Sequence, residues 1–184
     1  MSFPGSGKTA LLEATIDALK EEFRITVIEG DLEMENDAER IRAKGVTAVQ
    51  ITTGTASHLD PYTVQDALYA MSLDGVDILF IENVGNLVCP ANFDLGQHRN
   101  GILLSVTKGD DKPAKYPVMF RAADLLLITK TDLLPVLDDF NTVFELSARK
   151  HIGLASWLQW SRGELSAQRV RSAAAARFVR PSAR

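Results

Sequence analysis

The stretch Pro4-Gly5-Ser6-Gly7-Lys8-Thr9 decides the fold of this chain. It matches the end of the phosphate-loop pattern G-x-x-x-x-G-K-[ST], with Ser2 in place of the first glycine. Glycines let a backbone wrap around a phosphate, so that amide groups and the start of a helix face the anion. Lys8 is expected to reach the β- and γ-phosphates, and the Thr9 hydroxyl to ligate Mg²⁺. The predicted phosphate-binding residues are Gly5, Ser6, Gly7, Lys8 and Thr9.

Helix and strand patterns alternate along the rest of the chain. Apolar residues recur at helical spacing over 9–22, a second helix is predicted at 36–44, and Asp60-Pro61 is typical of a helix start. Short apolar runs predict strands, several of them buried on both faces, at 25–28, 46–51, 76–81, 102–106, 125–128 and 143–146. A helix at 152–160 ends the pattern. The alternation predicts an α/β P-loop NTPase with a mostly parallel sheet and helices on both faces.

The strand that ordinarily precedes a phosphate loop has no counterpart in this sequence. Such a strand is usually central, so its loss leaves the two neighbouring strands with unpaired edges. We therefore expect a truncated chain in which the first strand is missing.

Charge is distributed unevenly. The net charge is −4, yet residues 161–184 carry six arginines and one acid. We expect a GTP-binding domain over 1–160 and a poorly ordered basic tail over 161–184, with a helix or partner-binding arm as the alternative. The acidic body gives no footprint for nucleic acid. No apolar run approaches the roughly 20 residues of a membrane span, and the lone Cys89 excludes an internal disulfide, so we expect a cytoplasmic protein.

Two acids follow predicted strands at the edge where ligands bind in such sheets. Asp31 ends the first strand, and Glu82 begins the string Glu82-Asn83-Val84-Gly85-Asn86. Carboxylates at strand tips meet Mg²⁺ directly or through water, whereas the alternative for each is a simple cap or turn acid. With Thr9, they form the predicted Mg²⁺ site.

The base end of the nucleotide is predicted from two partial motifs. Thr129-Lys130-Thr131-Asp132 resembles the guanine-reading N-K-x-D motif, with Thr129 in place of asparagine. Asp132 would accept hydrogen bonds from the base, and the Lys130 stem would pack on its face. Ser147-Ala148-Arg149 resembles the S-A-K element that closes over the base. Both favour guanine over adenine.

Longer stretches resemble a known family, the HypB-type hydrogenase nickel-incorporation GTPases. The resemblance covers about residues 3–160 and rests on five strings: PGSGKTALLE, VIEGDLEMENDAERIRA, VQITTGTASHLD, LFIENVGNLVCPANFDLG and SVTKGDDKPAKYPVMFRAADLLLITKTDLLP. It implies a GTPase that dimerises with GTP and passes nickel, together with other maturation proteins, to hydrogenase precursors. The implied cofactors are GTP or GDP, Mg²⁺, and Ni²⁺ or Zn²⁺.

The same resemblance implies a metal site shared between subunits. The family uses a Cys-His pair and a later cysteine, which correspond here to Ser57, His58 and Cys89. Thiolate and imidazole suit Ni²⁺ or Zn²⁺, whereas a serine hydroxyl is a poor ligand at neutral pH. Weak metal binding is therefore expected. From the residues alone, His58 is a polar loop histidine and Cys89 a small buried thiol.

Three functions compete at this point. The first is a metallochaperone GTPase that assists nickel insertion into hydrogenase, with slow turnover and no assigned general base. The second is a non-catalytic pseudo-GTPase that keeps only the dimer surface. The third is an ATP-dependent small-molecule kinase, which only the phosphate loop supports.

Overall fold

A computed structural model describes residues 1–31, 36–54, 56–86, 88–109, 111–136 and 154–178. Helices and strands alternate along these ranges. The helices are α1 (Lys8–Leu19), α2 (Asn36–Arg42), α3 (Pro61–Ala70), α4 (Lys112–Lys115), α5 (Pro117–Arg121) and α6 (Leu154–Phe178). The strands are β1 (Ile25–Asp31), β2 (Thr47–Thr52), β3 (Ile78–Glu82), β4 (Gly101–Ser105) and β5 (Leu125–Thr129).

All the strand pairs are parallel, but they form two sheets rather than one. β1 lies between β2 and β3, with Thr26 opposite Thr47 and Val27 opposite Phe80. β4 pairs with β5 in a separate sheet. The prediction of a parallel α/β P-loop fold is confirmed. No strand among the described residues joins β3 to β4, and the sheet is divided in two at that point. β3 keeps an open edge there, whereas β4 is contacted by the start of the chain: Met1 hydrogen-bonds to Gly101 and Leu103, and Ser2 forms a parallel bridge with Leu103.

Helices pack on both faces of the first sheet, because successive side chains of a strand point to opposite sides. Val27 lies in a buried cluster with Ile16 and Leu19 of α1. Ile28, the next residue, packs on the other side with Leu59 and with Val64 of α3. β1 is buried along nearly its whole length, including the polar residues Thr26 and Glu29.

The predicted start of α3 is confirmed by its cap. Asp60 Oδ1 accepts hydrogen bonds from the amides of Tyr62 and Thr63 at 2.8 and 3.1 Å, and Pro61 fills the first helical position. A side-chain acceptor at this position satisfies amides that the helix itself leaves unpaired.

The last helix differs most from expectation. The predicted helix ended at Trp160, but α6 continues to Phe178 through most of the supposed tail. Its side chains contact the body: Trp157 Nε1 donates to Thr15 Oγ1 at 2.7 Å, and Arg162 pairs with Glu22 at 2.6 Å. Residues 161–178 therefore take the helical alternative that was kept open for the tail, and the boundary of the GTP-binding domain at residue 160 stays a prediction. The predicted strand at 143–146 lies outside the described residues.

Within the described ranges, no helix has the length and apolar character that a membrane crossing requires.

Candidate nucleotide-binding site

The phosphate loop has the backbone that its glycines predict. Gly5 and Gly7 have φ values of 71° and 89°, in the left-handed region that side chains disfavour. α1 begins at Lys8, directly after Gly7. A wrapped backbone that leads into a helix N-terminus presents several amides to an anion.

A cavity of about 510 Å³ opens beside this loop. It is lined by the phosphate loop, by the tips of β1 and β3, by α2 and by Lys130. The predicted Mg²⁺ residues Thr9, Asp31 and Glu82 all face it. The structure therefore brings together residues that lie far apart in sequence, at the carboxyl edge of the sheet.

Thr9 and Lys8 converge on one carboxylate. Thr9 Oγ1 donates to Glu82 Oε1 at 3.1 Å and also lies 3.1 Å from Asp37 Oδ2. Lys8 Nζ lies 3.8 Å from the same Glu82 oxygen. The Lys8 amine and the Thr9 hydroxyl thus both lie next to Glu82, the last residue of β3.

A second buried acid, Glu29, stands beside Glu82. The two residues are register partners on β1 and β3, and only 3% and 6% of their surfaces are exposed. Burial, and then the negative charge of Glu82, raise the pKa of Glu29 to about 9. Burial also raises the pKa of Glu82, against the opposing charge of Lys8. Glu29 is therefore protonated at neutral pH, and a cation at this point would favour its ionised form.

The residues present fit Mg²⁺. Hydroxyl and carboxylate oxygens are the donors that Mg²⁺ prefers. Oε2 of Glu29 and Oε2 of Glu82 are buried and accept no hydrogen bond from any described residue. Unpaired acceptors of this kind are costly in a core unless a cation or donor satisfies them.

At the base end, Thr129 connects two parts of the site. Its hydroxyl donates a buried hydrogen bond of 2.7 Å to the Ser6 carbonyl in the phosphate loop. The next residue, Lys130, has a φ of 60° and lines the phosphate cavity. Few non-glycine residues adopt this left-handed conformation. Threonine, which replaces asparagine in the motif, therefore still joins the base-reading segment to the phosphate loop.

Asp132 lies in the short 3₁₀ helix Thr131–Val136, directly after β5. This places it at the same edge of the structure as Lys130. The other base-side residues, Ser147, Ala148 and Arg149, lie outside the described residues.

Ser57 and Cys89 are in contact, as the resemblance implied. Ser57 Oγ donates to Cys89 Sγ at 3.4 Å, and Asn86 Nδ2 donates to Ser57 Oγ at 2.9 Å. Cys89 is partly exposed rather than fully buried. Asn86 follows Gly85, where an added Cβ would lie 3.0 Å from Pro4 Cα of the phosphate loop. The Ser57–Cys89 pair and the phosphate site are thus joined by one short segment.

The neighbours of His58 are given by its ring contacts rather than by hydrogen bonds. Its ring stacks on Phe93 with centroids 4.3 Å apart, and its buried Nδ1 has no partner among the described residues. No three His, Cys, Asp or Glu side chains of the described ranges group closely enough to hold a metal. A metal role for Ser57, His58 and Cys89 therefore stays a prediction that needs a second subunit.

Sequence reasoning missed two acids that line the phosphate cavity. It also missed Asn86, which contacts Ser57 beside Cys89. Glu29 interrupts an apolar strand, a signal that could have marked it. Asp37 was not assigned to the site, although its carboxylate contacts Thr9. Asn86 carried no signal, because its role depends on a loop 29 residues away.

Comparison with known proteins gives a consistent result. Residues 1–156 match the family model described as CobW/HypB/UreG, nucleotide-binding domain. The hydrogenase maturation factor HypB of Azotobacter vinelandii is 52% identical over 175 residues, which cover 87% of this chain and 57% of that protein. The chain thus spans little more than half the length of this relative.

Solved structures agree with the sequence match. The crystal structure of HypB from Helicobacter pylori in complex with nickel superposes with a TM-score of 0.84 at 39% identity, covering 91% of this chain and 86% of that one. HypB from Archaeoglobus fulgidus superposes with a TM-score of 0.81 at 36% identity, covering 90% and 87%.

Proposed function

Because this chain belongs to the CobW/HypB/UreG family of nucleotide-binding proteins, we propose that it is a GTP-binding metallochaperone that hydrolyses GTP and assists nickel insertion into hydrogenase. The observation that carries the proposal is the convergence of Lys8, Thr9 and Glu82 on one cavity beside a wrapped phosphate loop. Relatives named as hydrogenase maturation factors support the biological role.

In the proposed reaction, water attacks the γ-phosphate while the protein positions and neutralises charge. The loop amides and Lys8 hold the β- and γ-phosphate oxygens as negative charge builds on them. Mg²⁺, held by Thr9 and Glu82 with Asp31 nearby, would supply further positive charge at the same oxygens. Lys130 and Asp132 would select guanine. We assign no general base, and turnover should be slow.

The proposed cargo site rests on the contact between Ser57 and Cys89. We propose that Ser57, His58 and Cys89 receive Ni²⁺ or Zn²⁺ in a GTP-dependent homodimer, with weak affinity because a serine replaces one thiolate. Other hydrogenase maturation proteins would be the partners, in the cytoplasm.

Calorimetric titration with GDP and ADP, with and without Mg²⁺, tests the nucleotide role. Lys8→Ala should abolish GDP binding because it removes the fixed cation that faces the phosphates. Lys115→Ala changes an exposed lysine on α4 and serves as the control. GDP binding by Lys8→Ala as tight as by Lys115→Ala would refute the phosphate-loop assignment. Equal affinities for GDP and ADP would refute guanine selection.

A further inference from the structure

A closed chain of hydrogen bonds leads from the phosphate loop into α2 and back to α1. Thr9 Oγ1 donates to Asp37 Oδ2 at 3.1 Å, and the other oxygen of this carboxylate accepts from Arg40 Nη1 at 2.8 Å. Arg40 also donates to Glu13 through Nε at 3.1 Å and through Nη2 at 2.7 Å. Glu13 lies about one helical turn after Thr9 on α1. These four residues form a network that begins and ends on the helix that carries Thr9.

The guanidinium group of Arg40 suits its place in this network. Its planar fork forms two bonds to Glu13 and a third to Asp37, a geometry that the single ammonium group of a lysine does not reproduce. α2 itself is held on the body by Ala38 and Ile41, whose surfaces are fully buried. The helix is therefore fixed by its apolar face, and the bonds of Arg40 act on the Asp37 carboxylate.

Thr9 Oγ1 has one proton and two acceptors. Asp37 Oδ2 and Glu82 Oε1 both lie 3.1 Å from it. A hydroxyl oxygen binds a cation through a lone pair, so its proton must point to an acceptor elsewhere. Glu82 is itself proposed to hold Mg²⁺, and a carboxylate oxygen engaged with a cation accepts hydrogen bonds less well. Asp37 is then the acceptor that remains for the Thr9 proton.

We propose that Arg40 is a positioning residue for the Mg²⁺ site. Its bonds to Glu13 and Asp37 hold the Asp37 carboxylate where it accepts the Thr9 proton, and this turns a lone pair of the hydroxyl toward the cation. The inference rests on the proposed nucleotide function and adds to it a residue that acts only through Asp37. Partners that orient a metal ligand in this way typically change metal affinity by about 10–100-fold when they are removed.

The sign of the effect separates positioning from simple electrostatics. Arg40 lines the phosphate cavity and carries a positive charge. If only this charge mattered, replacing Arg40 by a neutral side chain would remove a repulsion and strengthen Mg²⁺ binding. Positioning predicts the opposite result, because Asp37 loses the group that anchors it.

The test measures GDP binding to the full chain by calorimetry at a series of Mg²⁺ concentrations. Arg40→Met should raise the Mg²⁺ concentration needed for half of the gain in GDP affinity by about tenfold. The control is Arg42→Met, which changes another exposed arginine of α2, one that donates to the Ala48 carbonyl at 3.0 Å. It should leave the Mg²⁺ requirement unchanged. Since exposed ion pairs add little stability, both variants should melt within about 4 °C of the parent without nucleotide.

A double variant shows whether Arg40 acts through Asp37. Asp37→Ala should raise the Mg²⁺ requirement at least as much as Arg40→Met. Adding Arg40→Met to Asp37→Ala should then raise it no further, because the group that Arg40 positions is already absent. Losses that add up in the double variant would overturn the proposal, since Arg40 would then act independently of Asp37.

The remaining outcomes distinguish this inference from the proposed function. An unchanged or lower Mg²⁺ requirement of Arg40→Met would overturn the positioning role while GDP binding stands. The same holds if GDP affinity of the parent does not depend on Mg²⁺. A melting temperature of Arg40→Met far below the stated range would show that the arginine holds α2 in place, which also contradicts positioning. Absence of GDP binding by the parent would refute the proposed function and this inference with it.

Discussion

The hydrogen bond between Thr129 and Ser6 gives a quantitative test of how the site is held together. Thr129 is 5% exposed and Ser6 is fully buried, so their 2.7 Å bond is shielded from water. Thr129→Val keeps the branched shape but leaves the Ser6 carbonyl without this donor. Losing a buried partner costs about 1–3 kcal/mol. For a chain of this size, each kcal/mol lowers the melting temperature by roughly 2–4 °C.

We therefore expect Thr129→Val to melt about 2–12 °C below the parent. GDP affinity should fall too, because the strained Lys130 follows directly and lines the phosphate cavity. Thr129→Ser keeps the hydroxyl and removes one methyl group, which costs about 0.8 kcal/mol. Thermal melting and GDP titration of the three proteins decide the matter. The reasoning fails if Thr129→Val has the melting temperature of the parent. It also fails if the melting temperature of Thr129→Ser falls as far as that of Thr129→Val.

Three further changes have definite expected outcomes. Gly30→Ala should lower the free energy of unfolding in urea by about 1–3 kcal/mol, because the added Cβ would lie 2.7 Å from the buried Leu59 Cγ. Gly163→Ala, which adds a Cβ in open space on α6, is the control and should not lower it. The Met1 amine, with its pKa of about 5 against 8.0 unfolded, contributes stability that is complete above pH 8 and is lost as the pH falls toward 5. Between pH 8 and 5, the free energy of unfolding of an Nα-acetylated chain should therefore fall by up to about 4 kcal/mol less than that of the parent. Equal falls in the two proteins would contradict a buried amine. Ser57→Cys should tighten Ni²⁺ or Zn²⁺ binding by about tenfold or more in the GTP-loaded dimer, since the 3.4 Å contact suits two thiolates on one metal. Equal affinities in a metallochromic titration would show that these residues form no metal site.

The sequence alone determined the features that depend on neighbouring residues. The phosphate loop follows from glycines whose left-handed backbone, seen at Gly5 and Gly7, few other residues adopt. The start of α3 follows from a side chain that reaches amides two and three residues ahead. Runs of apolar residues likewise predicted the five described strands. Each of these signals is complete within a short window, so no knowledge of the tertiary fold was needed.

Tertiary structure alone decided which distant residues meet. Glu29 and Glu82 stand side by side because of the register between β1 and β3, and a shift of one residue would point one of them to the opposite face. The Thr129 bond to Ser6 spans 123 positions. The contact between Arg162 of α6 and Glu22 at the end of α1 likewise joins residues 140 positions apart. Long-range register and ion pairing depend on how elements pack, which no local pattern of residues records.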